Sequence, residues 1–218
     1  MNKKLNKAWL LALLPLVFFA WFFLSKTKET PLRKLAYYGP KNYGDIEDTV
    51  YHLIPDFEFT DQDNKKVTKS TLANKVYITE YFFTTCQSIC PVMNKNLEKV
   101  YAEFKKRDDF LILSHTVDPE TDSVPVLKNY ANAHGVNDEK WKFVTGDKKA
   151  LYDVARKGYL LNAEEGNGGP EDFIHTQNFA LIDKDFHIRG YYDGTDVAEI
   201  ERLIQETHLL LQEYDTKK

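Results

Sequence analysis

The feature that most constrains the fold is a regular alternation of apolar runs and helical segments between residues 57 and 212. The runs are rich in β-branched and aromatic residues, as strands are, whereas PVMNKNLEKVYAEFKKR, residues 91–107, spaces its apolar side chains three and four residues apart. Strands are predicted at 57–68, 76–83, 109–117, 142–146 and 179–194, the first and last as hairpins, and helices at 91–107, 123–135, 149–159 and 197–212. The alternation predicts an α/β fold.

The order of these elements, β-β-β-α-β-α-β-α-β-β-α, is that of a thioredoxin-like three-layer sandwich with an N-terminal hairpin. We expect this domain to occupy residues 55–214, with residues 215–218 as a short tail. A domain of this size can bury about 70% of the surface of its unfolded chain. Residues 25–54 contain several prolines and glycines and mixed charge, which predicts a tether.

An uncharged apolar run, AWLLALLPLVFFAWFFL, occupies residues 8–24. As a helix it would span roughly 26 Å, near the lower limit for crossing a bilayer. A cleaved signal peptide is the alternative, but no small-residue cleavage site follows the run. The sequence therefore predicts a cytoplasmic stub at residues 1–7, a single uncleaved anchor in a bacterial cytoplasmic membrane, and a domain facing the periplasm or cell exterior.

The charge of the chain argues against one class of partner. Its formal net charge is −4 and its isoelectric point is about 5.9. Proteins that bind nucleic acid usually carry a basic patch and a high isoelectric point. We therefore expect no nucleic-acid partner.

Both cysteines of the chain, Cys86 and Cys90, fall in TTCQSICPVM, between a predicted strand and a predicted helix. Pro91 suits the first position of that helix, where its missing N–H costs nothing. The free N–H groups and the dipole of a helix N-terminus stabilise thiolates, which are both the redox-active and the metal-binding form. A structural disulfide or two inert thiols are the alternative interpretation. The CxxxC spacing leaves room for both thiolates to contact the same bound group, such as a metal ion.

Two thiolates seldom complete a metal site, so a third ligand is needed. His175, in DFIHTQNFALID, precedes a predicted strand, and in thioredoxin-like folds the loop entering this strand faces the cysteine turn. Two soft thiolates and one imidazole suit copper, above all three-coordinate Cu(I), although Cu(II) remains open. Ordinary structural roles account for the other histidines, which are His52, His115, His134, His187 and His208. Among them, His115 is the next candidate for the third ligand.

Three segments resemble the SCO/SenC family of copper-binding assembly factors for cytochrome c oxidase: YFFTTCQSICPVM, VDPETDS and FIHTQNFALIDKDFHIRGYYDGT. The resemblance covers about residues 50–210 and extends to the single N-terminal anchor. It implies copper ligands at Cys86, Cys90 and His175. It also implies that Asp118 supports these ligands, with a loop-and-cap role beside Pro119 and Asp122 as the alternative.

Two functions fit these residues. The first is a copper metallochaperone, not an enzyme, whose client is the copper A subunit of cytochrome c oxidase or another cuproprotein. The second is a thiol-disulfide oxidoreductase that keeps client cysteines reduced. Both require a thiol reductant as a partner. A peroxidase is a third interpretation, but the proline expected just before a peroxidatic cysteine is missing, since Pro55 is the nearest upstream.

Overall fold

The computed structural model describes residues 19, 34–43, 49–161, 169, 172, 174 and 176–216. The chain divides into two compact units, Met1–Arg33 and Lys34–Lys218, and the description below concerns the second. The predicted anchor at residues 8–24 lies, apart from Phe19, outside the described residues. Within the described part of the chain, no helix is both long enough and apolar enough to cross a membrane.

Strands β1 (Lys41–Tyr43) and β2 (Thr49–Tyr51) form a separate antiparallel pair. A seven-stranded mixed sheet forms the centre of the domain, and its strands are β3 (Glu58–Asp61), β4 (Lys66–Thr68), β5 (Val76–Phe82), β6 (Phe110–Thr116), β7 (Trp141–Thr145), β8 (Asn178–Ile182) and β9 (Ile188–Asp193). Their spatial order is β4-β3-β7-β6-β5-β8-β9. Strands β5, β6 and β7 are parallel, and the outer strands are antiparallel. The predicted α/β fold is confirmed.

Helices cover both faces of the sheet, because β5 and β6 are buried along their whole length and need apolar cover on each side. The helices are α1 (Cys90–Phe104), α2 (Val124–Ala133), α3 (Lys148–Asp153, continued by a π turn at Val154–Gly158) and α4 (Val197–Asp215), and a 3-10 turn spans Lys69–Leu72. Helices α1, α2 and α4 contribute to the core on one face, and α3 to the core on the other. Helix α4 extends one residue into the predicted tail.

Residues 34–43 and 49–54, predicted as part of a tether, pack against the domain instead. The Tyr38 N–H donates to the Ile188 carbonyl at 2.9 Å, and the Ile54 N–H donates to the Phe186 carbonyl at 3.0 Å. Leu35 and Ile54 are buried in the two cores. The compact domain therefore begins at Lys34.

Arg189 holds the start of this segment. Its guanidinium is 2% exposed and donates to the carbonyl oxygens of Leu35 at 2.8 Å and Ala36 at 3.1 Å. It also pairs with the carboxylates of Asp183 at 3.0 Å and Glu213 at 3.2 Å. One buried cation thus links the N-terminal segment, the β8–β9 hairpin and the end of α4.

Candidate metal centre

The two cysteines lie at the carboxyl end of the parallel strands, in the connection from β5 to α1. The Cys86 N–H donates to the Phe83 carbonyl at 3.2 Å, which forms a turn directly after the strand. Cys90 is the first residue of α1 and Pro91 the second, so the helix begins one residue earlier than predicted and Pro91 does not occupy its first position. Both thiols are free. The strand fixes one side of the turn and the helix N-terminus fixes the other.

The two thiols differ sharply in acidity. Burial opposes ionisation of Cys86, but hydrogen bonds from the Cys90 thiol and backbone N–H and from Ser88 outweigh it and lower the pKa of Cys86 to about 7. Cys90 is 4% exposed, and its burial, together with the hydrogen bond to Cys86, raises its pKa to about 12. At neutral pH Cys86 is therefore about half ionised, whereas Cys90 is a thiol.

This difference predicts the pH dependence of alkylation. The pKa of Cys86 lies below that of an ordinary thiol, so its reaction with iodoacetamide should rise with pH and level off above a midpoint near 7. Cys90→Ala should move that midpoint upward, because it removes a hydrogen bond that stabilises the thiolate. Mass spectrometry of the reduced protein after timed alkylation measures both effects. Modification of Cys90 before Cys86 at pH 7 would contradict the assignment.

A small cavity of about 110 Å³ opens beside the pair. Cys86, Cys90, Val117, Ile174 and Thr176 are among the residues that line it. His175 lies outside the described residues, although both of its neighbours line this cavity. The described residues alone contain no group of three His, Cys, Asp or Glu side chains able to hold a metal ion. The ligand role of His175 therefore stays a prediction.

The acidic motif contacts the cysteine loop through Asp122. The Asp122 carboxylate is fully buried and accepts hydrogen bonds from the backbone N–H and hydroxyl of Thr84 and from the hydroxyl of Thr116. Asp118 uses its backbone: its carbonyl accepts from Asp122 N–H at 2.8 Å, and its carboxylate has no hydrogen bond to another described residue. Support of the metal ligands by Asp118 stays a prediction. The sequence did not predict the contact between Asp122 and the cysteine loop, although Asp122 belongs to the VDPETDS motif.

His115, the reserve candidate, lies within the core formed with α3. Its ring stacks on Tyr81 with centroids 4.9 Å apart, and its Nδ1 lies 3.1 Å from the Thr79 hydroxyl. Burial lowers the pKa of His115 to about 3, so the ring is neutral. Cys90 belongs to the core cluster on the other face of the sheet. This placement supports the structural role of His115.

A buried acid on β5 also went unnoticed in the sequence. Glu80 is fully buried; one carboxyl oxygen accepts from the Ser114 hydroxyl at 2.7 Å, and the other has no partner among the described residues. Burial raises the pKa of Glu80 to about 8, so the side chain is mostly protonated at pH 7. A glutamate inside the otherwise apolar run VYITEYFF was the available signal.

Comparison with known proteins agrees with this fold. A family model described as SCO1/SenC matches residues 47–212. The SCO1 protein homolog of Bacillus subtilis is 27% identical over 163 residues, which are 74% of this chain and 84% of the relative.

Two solved structures share the fold. The first is BsSco, a member of the Sco family of cytochrome c oxidase assembly proteins in which a disulfide switch was identified. It is 27% identical, with a TM-score of 0.61 over 75% of this chain and 95% of its own. The second is Bradyrhizobium japonicum ScoI with copper bound. It is 24% identical, with a TM-score of 0.54 over 69% of this chain and 98% of its own. Because the family model covers most of the chain, this protein belongs to the SCO1/SenC family.

Proposed function

We propose that this chain is a membrane-anchored copper metallochaperone that helps to assemble the copper A centre of cytochrome c oxidase. One observation carries the proposal: Cys86 and Cys90 share a small cavity with the two residues that flank His175. Two thiolates and one imidazole form a ligand set that suits Cu(I). The oxidase-assembly role of the family of BsSco and the copper bound in ScoI support the same function.

The redox state of the pair would control loading. Oxidation of both thiols to a disulfide releases two protons and passes two electrons to an oxidant, and it consumes both soft ligands. A thiol reductant would return the electrons and restore the site. The copper-loaded form should therefore resist oxidation, and the oxidised form should not hold copper. The disulfide switch identified in BsSco supports this scheme.

The location remains part of the proposal. Residues 8–24 would anchor the chain in the cytoplasmic membrane and place the domain in the periplasm or at the cell exterior. Free thiols in that compartment need a dedicated reductant, since disulfides form and persist there.

A thiol-disulfide oxidoreductase is the second candidate, and the Cys86 pKa of about 7 favours it. Genetic replacement separates the two functions. Under copper limitation, a strain carrying His175→Ala should lose cytochrome c oxidase activity nearly as severely as one carrying Cys86→Ser, and added copper should restore part of the loss. The exposed His208, which pairs with Glu103, offers a matched control, His208→Ala. Full oxidase activity in the His175→Ala strain at low copper would favour the oxidoreductase.

A further inference from the structure

The cysteine loop is tied to the rest of the domain through Thr84. This residue lies two positions before Cys86, and its backbone N–H donates to Asp122 Oδ2 at 3.2 Å. Its hydroxyl donates to the Oδ1 atom of the same carboxylate. Within the described part of the chain, the other hydrogen bonds at Thr85–Ser88 are local: they join Cys86 N–H to Phe83, Cys86 to Ser88, and Cys86 to the thiol and backbone N–H of Cys90 at the start of α1. Asp122 therefore fixes where the loop begins.

The Asp122 carboxylate is itself rigidly placed. It is fully buried two residues before α2 begins, and it also accepts a hydrogen bond from the Thr116 hydroxyl at the end of β6. The Thr116 hydroxyl oxygen in turn accepts from the Asp118 N–H at 2.9 Å. Next to this network, the Val117 N–H donates to the Phe82 carbonyl at 2.8 Å and joins the ends of β5 and β6. A buried carboxylate is stable only when hydrogen-bond donors surround it. The donors on Thr84 and Thr116 therefore fix the position of the Asp122 carboxylate, and the carboxylate in turn fixes theirs.

We infer that Asp122 is a positioning residue that sets the separation of Cys86 from Cys90 and thereby the affinity of the pair for copper. The inference rests on the proposed function. Cys90 is fixed by α1, whereas Cys86 is placed by the loop, so an anchor on the loop governs the distance between the thiols. An amide at position 122 fills the same volume but offers one acceptor oxygen in place of two, so a threonine hydroxyl that donates to Asp122 must become an acceptor or lose its hydrogen bond.

The test compares three variants of the reduced full-length chain in detergent. Asp122→Asn weakens the anchor by replacing one carboxylate oxygen with an NH₂ group, and Thr84→Val removes one of its hydroxyl donors while keeping the shape of the side chain. Asp61→Asn is the control for loss of a buried carboxylate outside the cysteine loop: Asp61 is also fully buried, accepts from the N–H groups of Asp63 and Lys65 in the β3–β4 turn, and pairs with Lys142 at 2.7 Å. Two quantities are measured: Cu(I) affinity in competition with a chelator, and the equilibrium constant of the Cys86–Cys90 disulfide with glutathione.

We expect Asp122→Asn to weaken Cu(I) binding about 10- to 100-fold, as loss of a group that orients a metal ligand does. Its disulfide should also become about tenfold easier to reduce by glutathione, because the two thiols lose their fixed geometry. Thr84→Val should shift both values in the same direction by less, and it keeps the test available if Asp122→Asn does not fold. Asp61→Asn should change neither value.

Two results would overturn the inference. One is a folded Asp122→Asn or Thr84→Val protein with both values within about twofold of wild type. The other is an equal loss in Asp61→Asn, which would show a general effect on stability. If the wild-type chain binds no Cu(I), the proposed function fails, but the glutathione equilibrium still tests the placement of Cys86 by Asp122.

Discussion

Cys86→Ser or Cys90→Ser will lower the affinity of the reduced protein for Cu(I) by several orders of magnitude. Each replacement exchanges a soft thiolate for a hard hydroxyl that stays protonated at neutral pH, and Cu(I) selects soft ligands. His175→Ala should weaken binding less, because both thiolates remain, and it should leave the pair able to form a disulfide. Competition with a Cu(I) chelator under anaerobic conditions measures all three affinities.

His208→Ala provides the control for the histidine variant, since His208 lies on the exposed side of α4 against Glu103. Its affinity should equal that of wild type. If His175→Ala also binds as tightly as wild type, the third ligand has been assigned wrongly. Retention of tight binding by either cysteine variant would exclude a dithiolate site altogether.

Arg189→Met will destabilise the domain by about 3–5 kcal/mol, the usual result of removing one partner from a buried ion pair. Methionine fills a similar volume but leaves the buried Asp183 carboxylate without its cation, and it frees the carbonyl oxygens of Leu35 and Ala36. The N-terminal segment should detach at the same time. Urea unfolding gives the free energy, and limited proteolysis near Leu35 reports the detachment.

Arg107→Met is the matched control. Arg107 pairs with Asp109 and Asp215, but its side chain is 37% exposed. Exposed ion pairs contribute about 1 kcal/mol or less, so this variant should unfold close to wild type. A similar loss in both variants would mean that burial of the Arg189 network contributes no special stability.

Periodicity was sufficient to predict most of the fold because local patterns report which faces are buried. The run at 76–83 became β5, and the apolar spacing at 91–107 became α1. The N-terminal segment differs because its prolines and glycines resemble a linker, while the partner that holds it, Arg189, is more than 130 residues away. Local sequence patterns do not encode such a distant contact. The helix predicted at 149–159 also differs, because it changes to a π turn after Asp153.

The cysteine turn could be predicted for a different reason: the thiols and Pro91 carry their chemistry in a single short segment. The anchor on Asp122 could not, because it forms only when the ends of β5 and β6 meet. The sequence motif drew attention to Asp118, yet the carboxylate that reaches the cysteine loop is four residues later. A motif shows which segment matters, and the three-dimensional structure shows which atom of it makes the contact.

The unequal acidity of the two thiols also sets the order of events in any exchange with a client. Cys86 is the attacking thiol, and a mixed disulfide would join it to the client cysteine. Cys90 would then resolve this bond, and its burial, the largest cause of its raised pKa, disfavours the thiolate that must attack. If the chain exchanges disulfides with a client, attack by Cys86 should therefore be faster than resolution by Cys90, and the mixed disulfide should be the species that accumulates.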